Sequence, residues 1–116
     1  PIPLHPKREK ERGYNQSLLL ADALARSSKT MRLGRTLSRT KKTAAQATLS
    51  GIDRRTNIAG AFAALDPASA AGRHIVLVDD VITTGSTTDA LARLLKNSGA
   101  LSVWALTLAY GHPMHD

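Results

Sequence analysis

The chain has 116 residues, 42% of them hydrophobic, and a formal charge of +7 from 16 lysines and arginines against 9 aspartates and glutamates. That length and apolar content fit one small globular domain over residues 1–116 and argue against a disordered segment, while the lack of cysteine excludes disulfides and thiolate metal sites within these residues. No apolar run approaches the ~18 residues that span a bilayer, and no charged start leads into an apolar stretch as in a signal peptide, so a soluble, cytoplasmic protein with no membrane partner is expected.

The chain opens on Pro1-Ile2-Pro3-Leu4, which reads as the second half of a strand, and it has no initiating Met. A fragment of a longer protein is expected. Residues 6–13 form a basic segment, and most of the excess positive charge lies between residues 7 and 55. Such a concentration points to an anionic partner, either phosphates or nucleic acid. Asn15 can cap a helix running to about Arg26, with Leu20, Ala21, Leu24 and Ala25 on one apolar face. A short strand follows near residues 31–37. Residues 39–48 have no steady apolar period and include Arg39, Lys41 and Lys42, which predicts a mobile loop. Asp53 caps a short helix ending near Gly60, residues 62–65 form another strand, and Asp66, Pro67 and Gly72 mark a turn.

Ile75 to Val78 is a continuous apolar run of the kind found in a parallel strand covered on both faces. From Thr87 to Asn97 the leucines at 91, 94 and 95 recur at helical spacing and belong to the core, with Gly99 placed to end the helix. Residues 101–109 then alternate as a strand. Strand, helix and strand within about 35 residues make a βαβ unit. Phe62, Trp104, Tyr14 and Tyr110 are the only aromatic residues, so the core is expected to be mainly aliphatic and alanine, with Trp104 structural or, on an exposed face, a help to partner docking. The expected fold is α/β: a mainly parallel sheet flanked by helices.

In such sheets ligands bind beyond the carboxyl ends of the strands, where Asp79 and Asp80 fall. The loop that follows, Thr83, Thr84, Gly85, Ser86 and Thr87, leads into a helix whose first amides lack internal partners and can receive a phosphate. Gly85 lets the backbone approach closely, and the hydroxyls add donors. A Walker loop would need Gly-Lys-Ser/Thr, which is absent. Two adjacent acids one sugar length from a phosphate cradle suit a ribose phosphate, its vicinal hydroxyls on the carboxylates. A strand ending in solvent-facing acids before a capped helix is the bland alternative, and the complete run of residue types makes it the weaker one.

The stretch IVLVDDVITTGST, residues 75–87, resembles the phosphoribosyl pyrophosphate signature of the type I phosphoribosyltransferases at all thirteen positions. PIPLHPKREKERGYNQSLLLADALA, LSRTKKTAAQATLSGIDRRTNIAGAF and KNSGALSVWALTLA are similar to one branch, the ComF/GntX family of competence-related phosphoribosyltransferase-like proteins. Members usually carry a cysteine-rich zinc-binding segment before this domain, which these residues do not include. The resemblance implies a type I phosphoribosyltransferase core that binds phosphoribosyl pyrophosphate, with Mg²⁺ arriving with the donor. It places Asp79 and Asp80 on the ribose hydroxyls and residues 83–87 around the 5-phosphate. It also puts Arg8 and Arg12, in a loop after the first core strand, on pyrophosphate. Arg39, Lys41 and Lys42 would lie in a closing loop over the leaving group. Transfer through an oxocarbenium-like ribose would need positioning and electrostatic stabilisation rather than a side-chain nucleophile.

Arg54 and Asn57 match the family's pattern before Phe62 but read as surface or ion-pair residues, and His112 and His115 lack a third metal ligand. Three classes of function remain open: a phosphoribosyl transfer enzyme with an unidentified acceptor, a non-catalytic ribose-phosphate sensor, and a module of DNA uptake that binds nucleic acid or a DNA-processing protein. The fold also suits a homodimer.

Overall fold

A computed structural model describes residues 1–4, 6–34, 37–39, 62–64 and 67–111. Helix α1 spans Pro6–Arg12 and helix α2 spans Gln16–Arg26. Strand β1, Leu37–Arg39, pairs antiparallel with β2, Phe62–Ala64, in the register Leu37↔Ala64 to Arg39↔Phe62. A 3-10 turn at Pro67–Ser69 precedes strand β3, His74–Ile82, which leads through helix α3, Ser86–Asn97, to strand β4, Ser102–Tyr110. Strands β3 and β4 are parallel, so β3, α3 and β4 form the expected βαβ unit and the domain is α/β.

The core lies between α3 and the strands. Leu91 and Leu95 are fully buried, and they cluster with Ile2, Phe62, Ala70, Leu77 and Ala100 while Leu94 packs at the edge. The leucine spacing does this, since positions four apart share one helix face. Phe62 is the one aromatic in that cluster; Trp104, expected to be structural, is 66% exposed on β4. The alternation expected for this strand does not appear in its burial: Trp104, Leu106 and Leu108 are exposed, and so are Ala105 and Ala109.

One end of the unit is closed by backbone bonds between turns. Gly72 N–H donates to Gly99 O and Leu101 N–H to Arg73 O, at 2.9 and 2.8 Å. Ser98 caps α3 by donating its hydroxyl to Leu94 O, and Gly99 follows at φ +96°, the left-handed conformation that ends helices. With the amino ends of β3 and β4 tied there, their carboxyl ends and the loop into α3 lie together at the other end.

Five expectations change. The basic segment after Leu4 is helix α1 rather than a loop: Pro6 sits where a missing N–H costs nothing, and lysine, arginine and glutamate all favour helix. Residues 31–34 of the strand expected at 31–37 are not strand, and the Ser28 hydroxyl accepts the amides of Thr30 and Met31 in a turn that leads into them; the described strand is Leu37–Arg39. Arg39 therefore belongs to β1 and not to the expected loop. Strand β3 continues past Val78 to Ile82, because Val81 and Ile82 pair with Ala109 and Tyr110. At the start of the chain residues 1–4 form no regular strand, yet Ile2 N–H donates to Val78 O at 3.0 Å beside β3. The helix expected after Asp53, Arg54 and Asn57, Lys41, Lys42 and the rest of their loop, and His112 and His115 lie outside the described residues.

Candidate phosphate and ribose site

Both acids lie within β3, with Ile82 and the loop beyond them. The ladder to β4 runs from His74↔Ser102 through Asp79↔Thr107 and resumes at Val81↔Ala109, stepping over Asp80. Thr107 faces that step, its one hydroxyl proton shared between Asp80 O at 3.0 Å and Ala109 O at 2.8 Å. Each carboxylate also accepts the next amide along the chain, Asp80 N–H on Asp79 Oδ1 at 2.9 Å and Val81 N–H on Asp80 Oδ1 at 2.8 Å. Neighbouring strand residues start on opposite faces, and these local bonds draw each carboxylate toward the residue that follows it. Both acids are half-buried.

Asp79 is the more constrained of the two. Ser17, 4% exposed in the first turn of α2, donates its hydroxyl to Asp79 Oδ1 at 2.9 Å. Burial raises the Asp79 pKa above the ordinary carboxylate value; the Ser17 hydroxyl opposes that rise, and the nearby Asp80 carboxyl adds to it. The two acids thus remain within electrostatic reach, as a shared ligand would require.

The loop after β3 is open and polar. Thr84 and Ser86 hydroxyls lie 3.0 Å apart, and Ser86 N–H donates to Thr84 Oγ1 at 3.3 Å. Gly85 is the residue before α3, at φ +81°, and makes no side-chain cap. An added Cβ there would meet nothing within 4 Å, so the backbone faces free space. Thr83 begins the loop against Gly111, whose N–H donates to Ile82 O at 2.9 Å and where an added Cβ would lie 3.3 Å from the Thr83 methyl.

The predicted cations separate into two groups. Arg39 stacks over Phe62, its guanidinium carbon 5.5 Å from the ring centroid, and its pKa is lowered by burial and by Arg8. Arg8 and Arg39 are therefore electrostatic neighbours, from α1 and β1. Arg12 instead donates to the side chain of Gln16 at the start of α2. Among the described residues no three His, Asp or Glu side chains converge on a metal position.

Ser17, Thr107 and Gly111 were not singled out from the sequence. Ser17 lies 62 residues from Asp79, and a serine in a helix's first turn carries no signal of such a contact. Thr107 sits in an alternating strand, and only the register opposite Asp79 makes its hydroxyl significant.

A family model described as a phosphoribosyl transferase domain matches residues 15–113. Competence protein F of Haemophilus influenzae is 41% identical over 112 residues, 94% of this chain and 49% of that protein. DNA utilization protein YhgH of Escherichia coli strain K12 is 42% identical over 107 residues, 90% of this chain and 46% of that protein. Competence protein ComFC of Bacillus subtilis is 40% identical over 112 residues, 93% of this chain and 42% of that protein. The chain spans about half the length of the curated relatives it matches. No solved structure gives a significant match. No helix among the described residues is long and apolar enough to cross a membrane.

Proposed function

The chain belongs to the phosphoribosyl transferase domain family, in its ComF branch, and from that premise we propose that it binds phosphoribosyl pyrophosphate and transfers the phosphoribosyl group within a protein of DNA uptake or utilization. The observation that carries this reading is the continuity of β3 into the uncapped turn at Gly85: two acids suited to a diol sit one short loop from backbone suited to a phosphate. Asp79 and Asp80 accept the ribose hydroxyls, and residues 83–87 surround the 5-phosphate.

Arg8 and Arg39, which are electrostatic neighbours, are the cations this reading assigns to pyrophosphate, with Lys41, Lys42 and Arg12 as further cations. In the transfer the bond from the ribose anomeric carbon to pyrophosphate breaks, pyrophosphate leaves with the electron pair, and an acceptor nucleophile bonds to that carbon. Mg²⁺ supplies charge neutralisation on the phosphates when it enters with the donor. The protein's own contribution is orientation of the ribose and electrostatic stabilisation of the departing group.

Calorimetry of the full-length protein with phosphoribosyl pyrophosphate and Mg²⁺ tests this. Saturable heat that disappears in Asp79→Asn/Asp80→Asn supports it, and absence of heat from folded wild-type protein refutes it. The +7 charge and the names of the relatives favour a second reading, a nucleic-acid-binding module. That reading predicts DNA affinity falling steeply with salt and indifferent to the Asp79 and Asp80 changes.

A further inference from the structure

Asp79 has to serve a ligand from an unfavourable position. It is half-buried, and both desolvation and its neighbour Asp80 work against its ionised form. A carboxylate in such a place is useful only if something fixes its direction. The Asp80 amide cannot do this alone, because it belongs to the next residue and moves with the same strand.

The Ser17 hydroxyl comes from a separate element, and its own position is held by a chain of bonds that starts on β3. Val78 O accepts Ile2 N–H at 3.0 Å. Ile2 O accepts Asn15 Nδ2 at 3.1 Å, and Asn15 Oδ1 accepts Ser17 N–H at 3.0 Å. Ser17 Oγ then returns to β3 at Asp79 Oδ1. The circuit leaves Val78 and closes one residue later, through Asn15 and Ser17, the two buried polar residues of the described chain. Each link is of ordinary hydrogen-bond length, and burial shields the circuit from competing water.

We propose that Ser17 is the positioning residue of the ribose subsite: its hydroxyl holds Asp79 Oδ1 and fixes the carboxylate so that Oδ2 is presented to a ligand hydroxyl. The proposal rests on the ribose-phosphate reading of the site. Both described bonds to the Asp79 carboxylate fall on Oδ1, which divides its two oxygens between framework and ligand. Preorganisation of this kind lowers the ordering cost of binding without touching the ligand.

Calorimetry with two probes separates this from a purely structural serine. Ribose 5-phosphate carries the diol, and inorganic pyrophosphate does not. Ser17→Ala is expected to weaken ribose 5-phosphate binding about tenfold and to leave pyrophosphate binding unchanged. Ser17→Thr, which retains the donor, restores most of the loss. Ser17→Cys keeps the volume with a weaker donor, follows the alanine variant, and covers the case in which Ser17→Ala does not fold. In an Asp79→Asn background, Ser17→Ala adds no more than about twofold. Undiminished ribose 5-phosphate binding by Ser17→Ala overturns the inference alone, as does an equal loss for both probes. Failure of folded wild-type protein to bind ribose 5-phosphate overturns the ribose-phosphate reading and the inference with it.

Discussion

Replacing Gly85 by alanine probes the loop into α3 in isolation. Gly85 stands at φ +81°, where an L-residue is disfavoured, yet an added Cβ meets no atom within 4 Å. Steric repulsion is thus absent, and what remains is the left-handed backbone penalty of about 1–2 kcal/mol. For a domain of this size that corresponds to a fall in Tm of roughly 4–8 °C. Gly99 provides the internal comparison: its φ is +96°, and an added Cβ would lie 3.3 Å from both Cα and Cβ of Ala71. A backbone atom yields poorly, so Gly99→Ala should cost about 1 kcal/mol or more beyond the conformational penalty. Thermal melts followed by circular dichroism give the order of the two losses. Calorimetry with ribose 5-phosphate then gives the functional half, since the new methyl at position 85 projects into the free space assigned to the phosphate, while position 99 is at the opposite end of the unit. Binding should weaken in Gly85→Ala and persist in Gly99→Ala. Unchanged stability of Gly85→Ala, or a loss larger than that of Gly99→Ala, would refute the backbone argument. Unchanged binding would refute the phosphate assignment.

Asp79→Asn should trade binding for stability. Because burial raises the Asp79 pKa, the native protein retains a proton that the unfolded chain has released, so this group opposes folding increasingly as pH rises above the ordinary carboxylate value, and fully once pH exceeds the native pKa. Removing the charge should raise Tm at neutral pH, with the gain vanishing below the ordinary carboxylate range, while ribose 5-phosphate affinity drops at least about tenfold; a lowered Tm at pH 7 would contradict the assigned shift. Leu95→Ala empties a fully buried position on α3 and should cost about 2–5 kcal/mol in urea denaturation, and a loss under about 1 kcal/mol would mean that α3 does not anchor the core. Asn15→Ala removes the α2 cap and the bridge to Ile2 O together, for an expected loss of about 1–3 kcal/mol; Asn15→Asp keeps the cap acceptor and should recover only part of it.

The sequence was most legible where local chemistry and tertiary role coincide. The apolar run before Asp79, the leucines at 91, 94 and 95, and Gly99 report a buried strand, a one-faced helix and its end, and each does so within a few residues. Asn15 was legible for the same reason, since its cap bond spans two positions. The end of β3 was harder, because Asp79 and Asp80 interrupt the apolar pattern and only pairing with Ala109 and Tyr110 carries the strand onward. Helix α1 was masked by its charge, which suggested a phosphate loop although its residue types favour helix. The exposure of Trp104 follows from which face of β4 meets α3, a matter of assembly rather than of alternation. The contact of Ser17 with Asp79 depends on how α2 docks on β3, and no local pattern encodes it.

Trp104 is the chain's only tryptophan, and its indole N–H donates to Ser102 Oγ at 3.1 Å, which in turn lies 2.6 Å from His74 Nδ1. Most of its ring already meets solvent in the folded state. Its emission maximum should therefore shift little on unfolding, and tryptophan fluorescence is a poor measure of this domain's stability. The same exposure makes it a sensitive optical reporter for association: any second copy, partner protein or further segment that covers β4 would dry the indole and move its emission to the blue.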